Sequence, residues 1–280
     1  MTRQIRIVHH TGYAYRDPVL GSYNEVRMTP RTTREQWVVS SRIDIQPAPW
    51  VLSYRDYWGT KVTAFEIRER HSRLGVTSTA TVEVTRGGDS APGVSWEELA
   101  DPGFEDRMVE MLTVGDYVDP GTDLSGFAAG VAREASPAET VAAVVAKVRQ
   151  RVQYVPGVTH VRTRAQDVWK ARAGVCQDMV HVTIGGLRKV GIPARYVSGY
   201  LMPSANPVPG EARKAESHAW LQYWDGAWVG LDPTNDAAPG DFHVEVGIGR
   251  DYSDVPPLRG IYSGAAESEM YVEVEMTVVE

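Results

Sequence analysis

The sequence contains a single cysteine, Cys176, in 280 residues. That scarcity excludes an intramolecular disulfide framework and any zinc or iron–sulfur site built from several thiolates. Long apolar runs are missing as well, and nothing approaches the roughly 18 residues a membrane helix needs. The opening MTRQIRIVHHTGYAY alternates polar and apolar side chains and has no continuous apolar stretch of the kind a secretory signal carries. Positive charge is in deficit: 29 Lys and Arg face 36 Asp and Glu, for a net charge of −7. The basic footprint of a nucleic-acid binder is therefore absent. No calcium loop with alternating acidic positions and a terminal glutamate is present, and no internal repeat or low-complexity segment is visible. These absences predict a cytoplasmic protein with a reduced thiol, without nucleic-acid or membrane partners. The 42% hydrophobic content is ample for a core, and the length exceeds that of one typical domain.

Residues 1–88 read as β. Ile5, Ile7, His9, Thr11, Tyr13 and Tyr15 share one face of an extended segment, as do Trp37, Val39, Ile43 and Ile45, and again Leu74, Val76, Ala80, Val82 and Val84. Period two over short segments broken by Pro and Gly turns predicts an antiparallel sandwich or barrel-like domain. RGGDSAPG (86–93) is a turn-rich break. Residues 89–135 then read as a connector of short helices, interrupted at Pro102 and Gly103. A second domain is expected over 136–280. Its clearest helix follows Ser136, with Pro137 suited to the first position, Glu139 completing a capping box, and Val141, Val144, Val145, Val148 and Val152 on one face. A second helix is predicted to begin at or near Cys176 and to stop before Gly191 and Pro193. Gly185 and Gly186 inside it imply close packing of a neighbouring element. ARYVSGYL, SHAWLQYW and AWVGLD read as strands. The proline-rich loop between the first two is a lid or substrate wall, or else a surface insertion. The C-terminal MYVEVEMTVVE alternates and is expected to close a sheet edge.

A thiol attacks as thiolate. Two devices favour that form, the N-terminus of a helix and a histidine partner, and both are available to Cys176. His181 lies about 140° round the helix from Cys176 and is assigned to packing instead. His218 opens a strand that runs into Asp225-Gly226, and the returning strand ends at Asp232. A three-residue loop, Trp224-Asp225-Gly226, with Gly226 in the left-handed conformation and Tyr223 closing against Ala227, sets His218 directly opposite Asp232. Nucleophile, base and orienting acid then follow in the order Cys176, His218, Asp232. The backbone N–H of Cys176 is one natural oxyanion donor. Gln177 points about 100° away from Cys176 and is not an obvious second. Trp220, Trp224 and Trp228 read as cross-strand packing, with Trp220 an alternative substrate platform.

GVCQDMVH, ESHAWLQYW and GLDPTN resemble the three catalytic blocks of the transglutaminase-like superfamily. HTGYAYRDPVLGSYNEVRMTPR (10–31) resembles the N-terminal β-domain of its bacterial branch, and GIPARYVSGYL and GRDYSDVPPLRGIYSG resemble further segments of that branch. The resemblance implies an α+β chain, in which an N-terminal antiparallel β-domain precedes a papain-like core with the cysteine-bearing helix packed on an antiparallel sheet. It places the nucleophile at Cys176, the general base at His218 and the orienting acid at Asp232. The activity so implied is acyl transfer on amide bonds of a peptide or protein through a thioester, most simply by a cysteine peptidase or amidase. The alternatives are a protein-glutamine transglutaminase, in which an amine replaces water, and a non-catalytic peptide-binding or scaffold module. No cofactor is expected. No metal is expected either, because one thiolate with scattered histidines lacks ligand spacing.

Overall fold

The computed structural model describes residues 2–87, 92–264 and 267–279. The boundary expected at 88/89 lies outside the described residues. Among the described residues three antiparallel sheets carry the architecture. The first has five strands in the order Arg213–Ala215, Ser268–Val278, Arg3–Val19, His71–Val84 and Gln36–Gln46. The second has four: Leu258–Ser263, Gly21–Val26, Lys61–Ile67 and Trp50–Arg55. These two sheets form the expected sandwich, with Tyr15, Leu74 and Val76 of one meeting Val26, Phe65 and Ile67 of the other. The third sheet runs Trp228–Leu231, Ser217–Trp224, Ala194–Leu201 and His243–Gly249. It packs on the other end of the first sheet, where Ile5, Ile7, Val82 and Val84 meet Tyr200, Val244 and Val246.

The chain crosses the division expected from its order. Leu258–Ser263 pairs with Gly21–Val26, and Ser268–Val278 pairs along Arg3–Val19. The last strands of the region assigned as 136–280 therefore belong to the N-terminal sandwich. Alternation identifies a strand but not its partner, and here backbone pairing decides the matter. The C-terminal strand also does not close an edge. It lies inside the sheet, flanked by Arg3–Val19 and by Arg213–Ala215.

One face assignment is corrected too. Ile43 and Ile45 turn inward, but Trp37 and Val39 are 61% and 49% exposed. A bulge between Val38 and Ser40 inserts one residue into the ladder and reverses which parity faces the core. In the long partner strand Leu74, Val76, Ala80, Val82 and Val84 are all buried on one face, as their spacing requires.

Short helices Trp96–Leu99, Pro102–Leu112 and Gly121–Ala132 connect the sandwich to the third sheet. Pro102 opens a helix rather than interrupting one. Asp101 caps it by accepting from the Phe104 N–H, and the proline occupies the first turn, where its missing N–H costs nothing. The helix Pro137–Arg151 has the expected capping box between Ser136 and Glu139. The helix Cys176–Arg188 packs against the third sheet, and among the described residues no helix is long and apolar enough to cross a membrane. Gly185 lies so close to the Val118 carbonyl that a Cβ there would sit 1.7 Å from its oxygen. That contact is the close packing the two helix glycines implied.

Candidate active site

Cys176 is the first residue of its helix, behind Val175 in extended conformation. No side-chain oxygen caps this helix at Val175, so the positive end of its dipole is left to the thiol. The turn leading in is fixed from below. Asp178, fully buried, accepts from the Val175 N–H at 2.8 Å and from the Thr159 hydroxyl at 2.6 Å. Burial pushes the Asp178 carboxyl up, against those two hydrogen bonds and the nearby His160. Gly174 is required beside it, since a Cβ there would approach Asp178 Cβ to 2.7 Å. The same glycine pairs with Tyr154 in a short parallel ladder, Gln153–Tyr154 on Ala173–Gly174. Gln177 donates to the Val161 carbonyl at 3.3 Å, away from the thiol.

His218 lies on the inner strand Ser217–Trp224 beside the Cys176 thiol, which favours the charged imidazole. Its Nε2 meets Asp232 Oδ2 at 2.7 Å, leaving Nδ1 to face the sulfur. Burial disfavours the imidazolium, but the bond to Asp232 and the neighbouring Cys176 outweigh it and raise the His218 pKa to about 9. Asp232 is fully buried. Burial opposes its charge, and hydrogen bonds from His218, His243 and Asn235 overcome this and hold the carboxyl well below the usual range. Oδ1 accepts from the Thr234 and Asn235 N–H groups at 2.9 and 3.2 Å, and Oδ2 from Asn235 Nδ2 at 2.7 Å. A carboxylate so fully satisfied is fixed in place and in charge.

The structure thus brings Cys176, His218 and Asp232 together as expected, through a different hairpin register. The loop does have three residues, but they are Asp225-Gly226-Ala227, and Trp224 closes against Trp228. Gly226 is left-handed at φ 79°. Asp232 therefore falls beyond the last ladder pair, Leu221 with Leu231, and reaches His218 diagonally. His181 is buried, accepts from the Tyr252 N–H at 3.1 Å, and is pushed down to about 3 by burial and then by Arg188, so it serves packing. Trp220 is fully buried, stacked on His218 at 6.2 Å, which removes it as a substrate platform.

Two further residues surround Asp232. Asn235 lies three positions after Asp232 in the turn DPTN, a spacing that permits a side chain to fold back. His243 begins the strand His243–Gly249, and its Nε2 lies 3.3 Å from Asp232 Oδ2. No local signal marks it. His218, Asp232 and His243 are close enough together to suggest a cation site. The hydrogen bonds argue otherwise. The Gly240 N–H donates to His243 Nδ1 at 3.0 Å, so the neutral ring carries its proton on Nε2, where a metal would need a lone pair.

Two hollows flank the site. A hollow of about 370 Å³ opens beside His218, between Tyr154, Pro203, Lys214 and Glu216. A second, about 450 Å³, lies beyond Pro203 against Met202, Phe242 and His243. The proline-rich segment is their shared wall. It is tied to the five-stranded sheet by the Gly210 N–H bond to the Val278 carbonyl and by pairing of Arg213–Ala215.

Comparison with known proteins bears on family and fold. Residues 5–83 match the bacterial transglutaminase-like N-terminal region, and residues 125–233 match the transglutaminase-like superfamily core. The uncharacterized protein ML0607 of Mycobacterium leprae is 41% identical over 98% of this chain and 98% of its own. A protein-glutamine gamma-glutamyltransferase of Pseudomonas aeruginosa is 31% identical over 108 residues, 35% of this chain and 16% of its own length. Among solved structures, a proposed cysteine protease from Cytophaga hutchinsonii superposes with a TM-score of 0.78 at 20% identity, covering 100% of this chain and 92% of that one, a likeness of fold. With its N-terminal sandwich, its cysteine-bearing helix and its antiparallel sheet, the chain belongs to the transglutaminase-like superfamily.

Proposed function

We propose that this protein is a cysteine-dependent peptidase or amidase acting through Cys176, His218 and Asp232. The observation that carries the reading is one imidazole set beside the lone thiol and hydrogen-bonded at 2.7 Å to a buried, fully satisfied carboxylate. The thiol proton passes to His218 Nδ1, and the thiolate attacks an amide carbonyl of a peptide or protein. The resulting oxyanion lies near the uncapped N-terminus of the Cys176 helix, where the Cys176 N–H is available to it. His218 returns the proton to the departing amine, the C–N bond breaks, and a thioester remains. Water, deprotonated by His218, then attacks the thioester and releases a carboxylic acid and the thiol.

A primary amine in place of water would give a new amide from the same thioester. The local likeness to a gamma-glutamyltransferase keeps that reading in view. The test is alkylation of Cys176 by iodoacetamide from pH 4 to 9, read by intact mass, in wild type and His218→Ala. The reading requires reaction well below pH 7 that is lost or shifted upward in the variant. A thiol that reacts only above pH 8 in both proteins would leave a binding module. Peptide substrates incubated with and without glycinamide then separate acid products from new amides by mass.

A further inference from the structure

Asp232 serves two imidazoles. Its Oδ2 faces His218 Nε2 at 2.7 Å and His243 Nε2 at 3.3 Å, and the two rings stand 5.9 Å apart. His243 arrives from the opposite edge of the sheet, since its strand borders Ala194–Leu201 whereas Asp232 follows the far edge strand Trp228–Leu231. The ring is walled by Trp220, edge to face at 5.3 Å, and Trp220 in turn stacks on His218. Gly199 makes room for that wall, because a Cβ there would lie 2.6 Å from the Trp220 ring. The Gly240 N–H occupies His243 Nδ1, and the Arg86 guanidinium donates to the His243 backbone carbonyl at 3.3 Å. Both the position and the tautomer of the ring are therefore set from outside the triad.

We propose that His243 is a positioning residue of the site, a neutral Nε2–H donor that holds Asp232 Oδ2 in line with His218. The inference rests on the reading of Cys176 and His218 as an activated pair. Burial lowers the His243 pKa, against the pull of Asp232, which favours the uncharged ring. A charged partner would compete with His218 for the carboxylate, whereas a neutral donor fixes the oxygen and withdraws only part of its charge. Without it Oδ2 keeps only Asn235 Nδ2 beside His218, and the carboxylate is held less firmly in line with the imidazole. A less firmly held Asp232 orients the imidazole less well, which disfavours the thiolate–imidazolium pair.

The test compares wild type, His243→Leu, His243→Gln and His218→Ala, using iodoacetamide alkylation of Cys176 from pH 4 to 9, alongside thermal unfolding. Loss of a hydrogen bond to a charged group predicts that His243→Leu reacts about tenfold more slowly near pH 7, with the acid limb moved to higher pH. His243→Gln, which presents an amide N–H to the same oxygen, should recover most of the rate. A packing role alone would lower stability in both variants and leave the pH profile in place. If His218→Ala slows the reaction and His243→Leu does not, the proposal is overturned and the triad stands. If neither variant changes it, both readings fall. Should His243→Leu fail to fold, histidine 15N shifts of the wild type at pH 7 decide. A neutral Nε2-protonated His243 supports the proposal, and an Nδ1-protonated ring or an imidazolium overturns it.

Discussion

Two helices of similar length do opposite work. Pro137–Arg151 begins with Ser136 and Glu139 satisfying each other's backbone N–H groups, and it keeps an exposed face. Cys176–Arg188 begins at Val175, which offers no cap, and is buried on nearly every side beyond its first turn. One helix closes its positive end with side-chain oxygens, while the other leaves that end open at the sulfur of Cys176. The interior glycines follow the same division. Pro137–Arg151 has alanines such as Ala142 on its exposed face, whereas Cys176–Arg188 carries Gly185 against the Val118 carbonyl. Helix propensity governs the structural helix, and the approach of its neighbours governs the chemical one.

The contrast can be broken most severely at Gly185. Gly185→Ala improves propensity yet forces a methyl group into a carbonyl, and urea unfolding should show a loss of roughly 3 kcal/mol or more. The mirror change, Ala142→Gly, should cost only about 1 kcal/mol, by the same measurement.

The imidazole facing the open helix end supplies an effect of similar size in pH. His218 has a folded pKa raised to about 9 from 6.5. Its contribution is thus fully present below about pH 6.5 and lost as pH rises through 9, about 3 kcal/mol in all by linkage. Wild type should therefore lose more stability than His218→Ala between pH 6.5 and 9.5 when both are followed by denaturant titration.

Ser136→Ala should cost about 1 kcal/mol and leave Cys176 alkylation unchanged. Val175→Ser sharpens the contrast with the smallest change. It gives the second helix the cap it lacks, so stability should rise by about 0.5 kcal/mol. Alkylation near pH 7 should slow by a few-fold, because the new oxygen competes for the same N–H groups.

Much of this difference was readable in the chain. Ser136, Pro137 and Glu139 announce their helix by local chemistry, and Gly191 with Pro193 marks the end of the other. Cys176, His218 and Asp232 were legible because a lone thiol, a strand-opening histidine and a strand-ending carboxylate each carry a signal. The hairpin register was not. Trp224 and Trp228 close the loop with rings edge to face at 5.5 Å, and the 92–94 segment packs on Gly226 and bonds to Asp225, a tertiary choice between two loops that Asp-Gly allows equally. The reversal at Val39 arises from a bulge, which leaves no mark on composition. His243 was invisible for a further reason. Its partner carboxylate lies across a whole sheet, and the sequence gives no hint that residues 232–243 bring them together.

The strand Arg3–Val19 lies between His71–Val84 and Ser268–Val278. One neighbour is made soon after it, and the other only when the ribosome has added nearly the whole remaining sequence. At ordinary elongation rates that interval is on the order of tens of seconds. Throughout it, a long strand with Ile5 and Ile7 on its inner face presents an unpaired edge during synthesis. That side of the five-stranded sheet is therefore completed late, when Ser268–Val278 takes its place along Arg3–Val19.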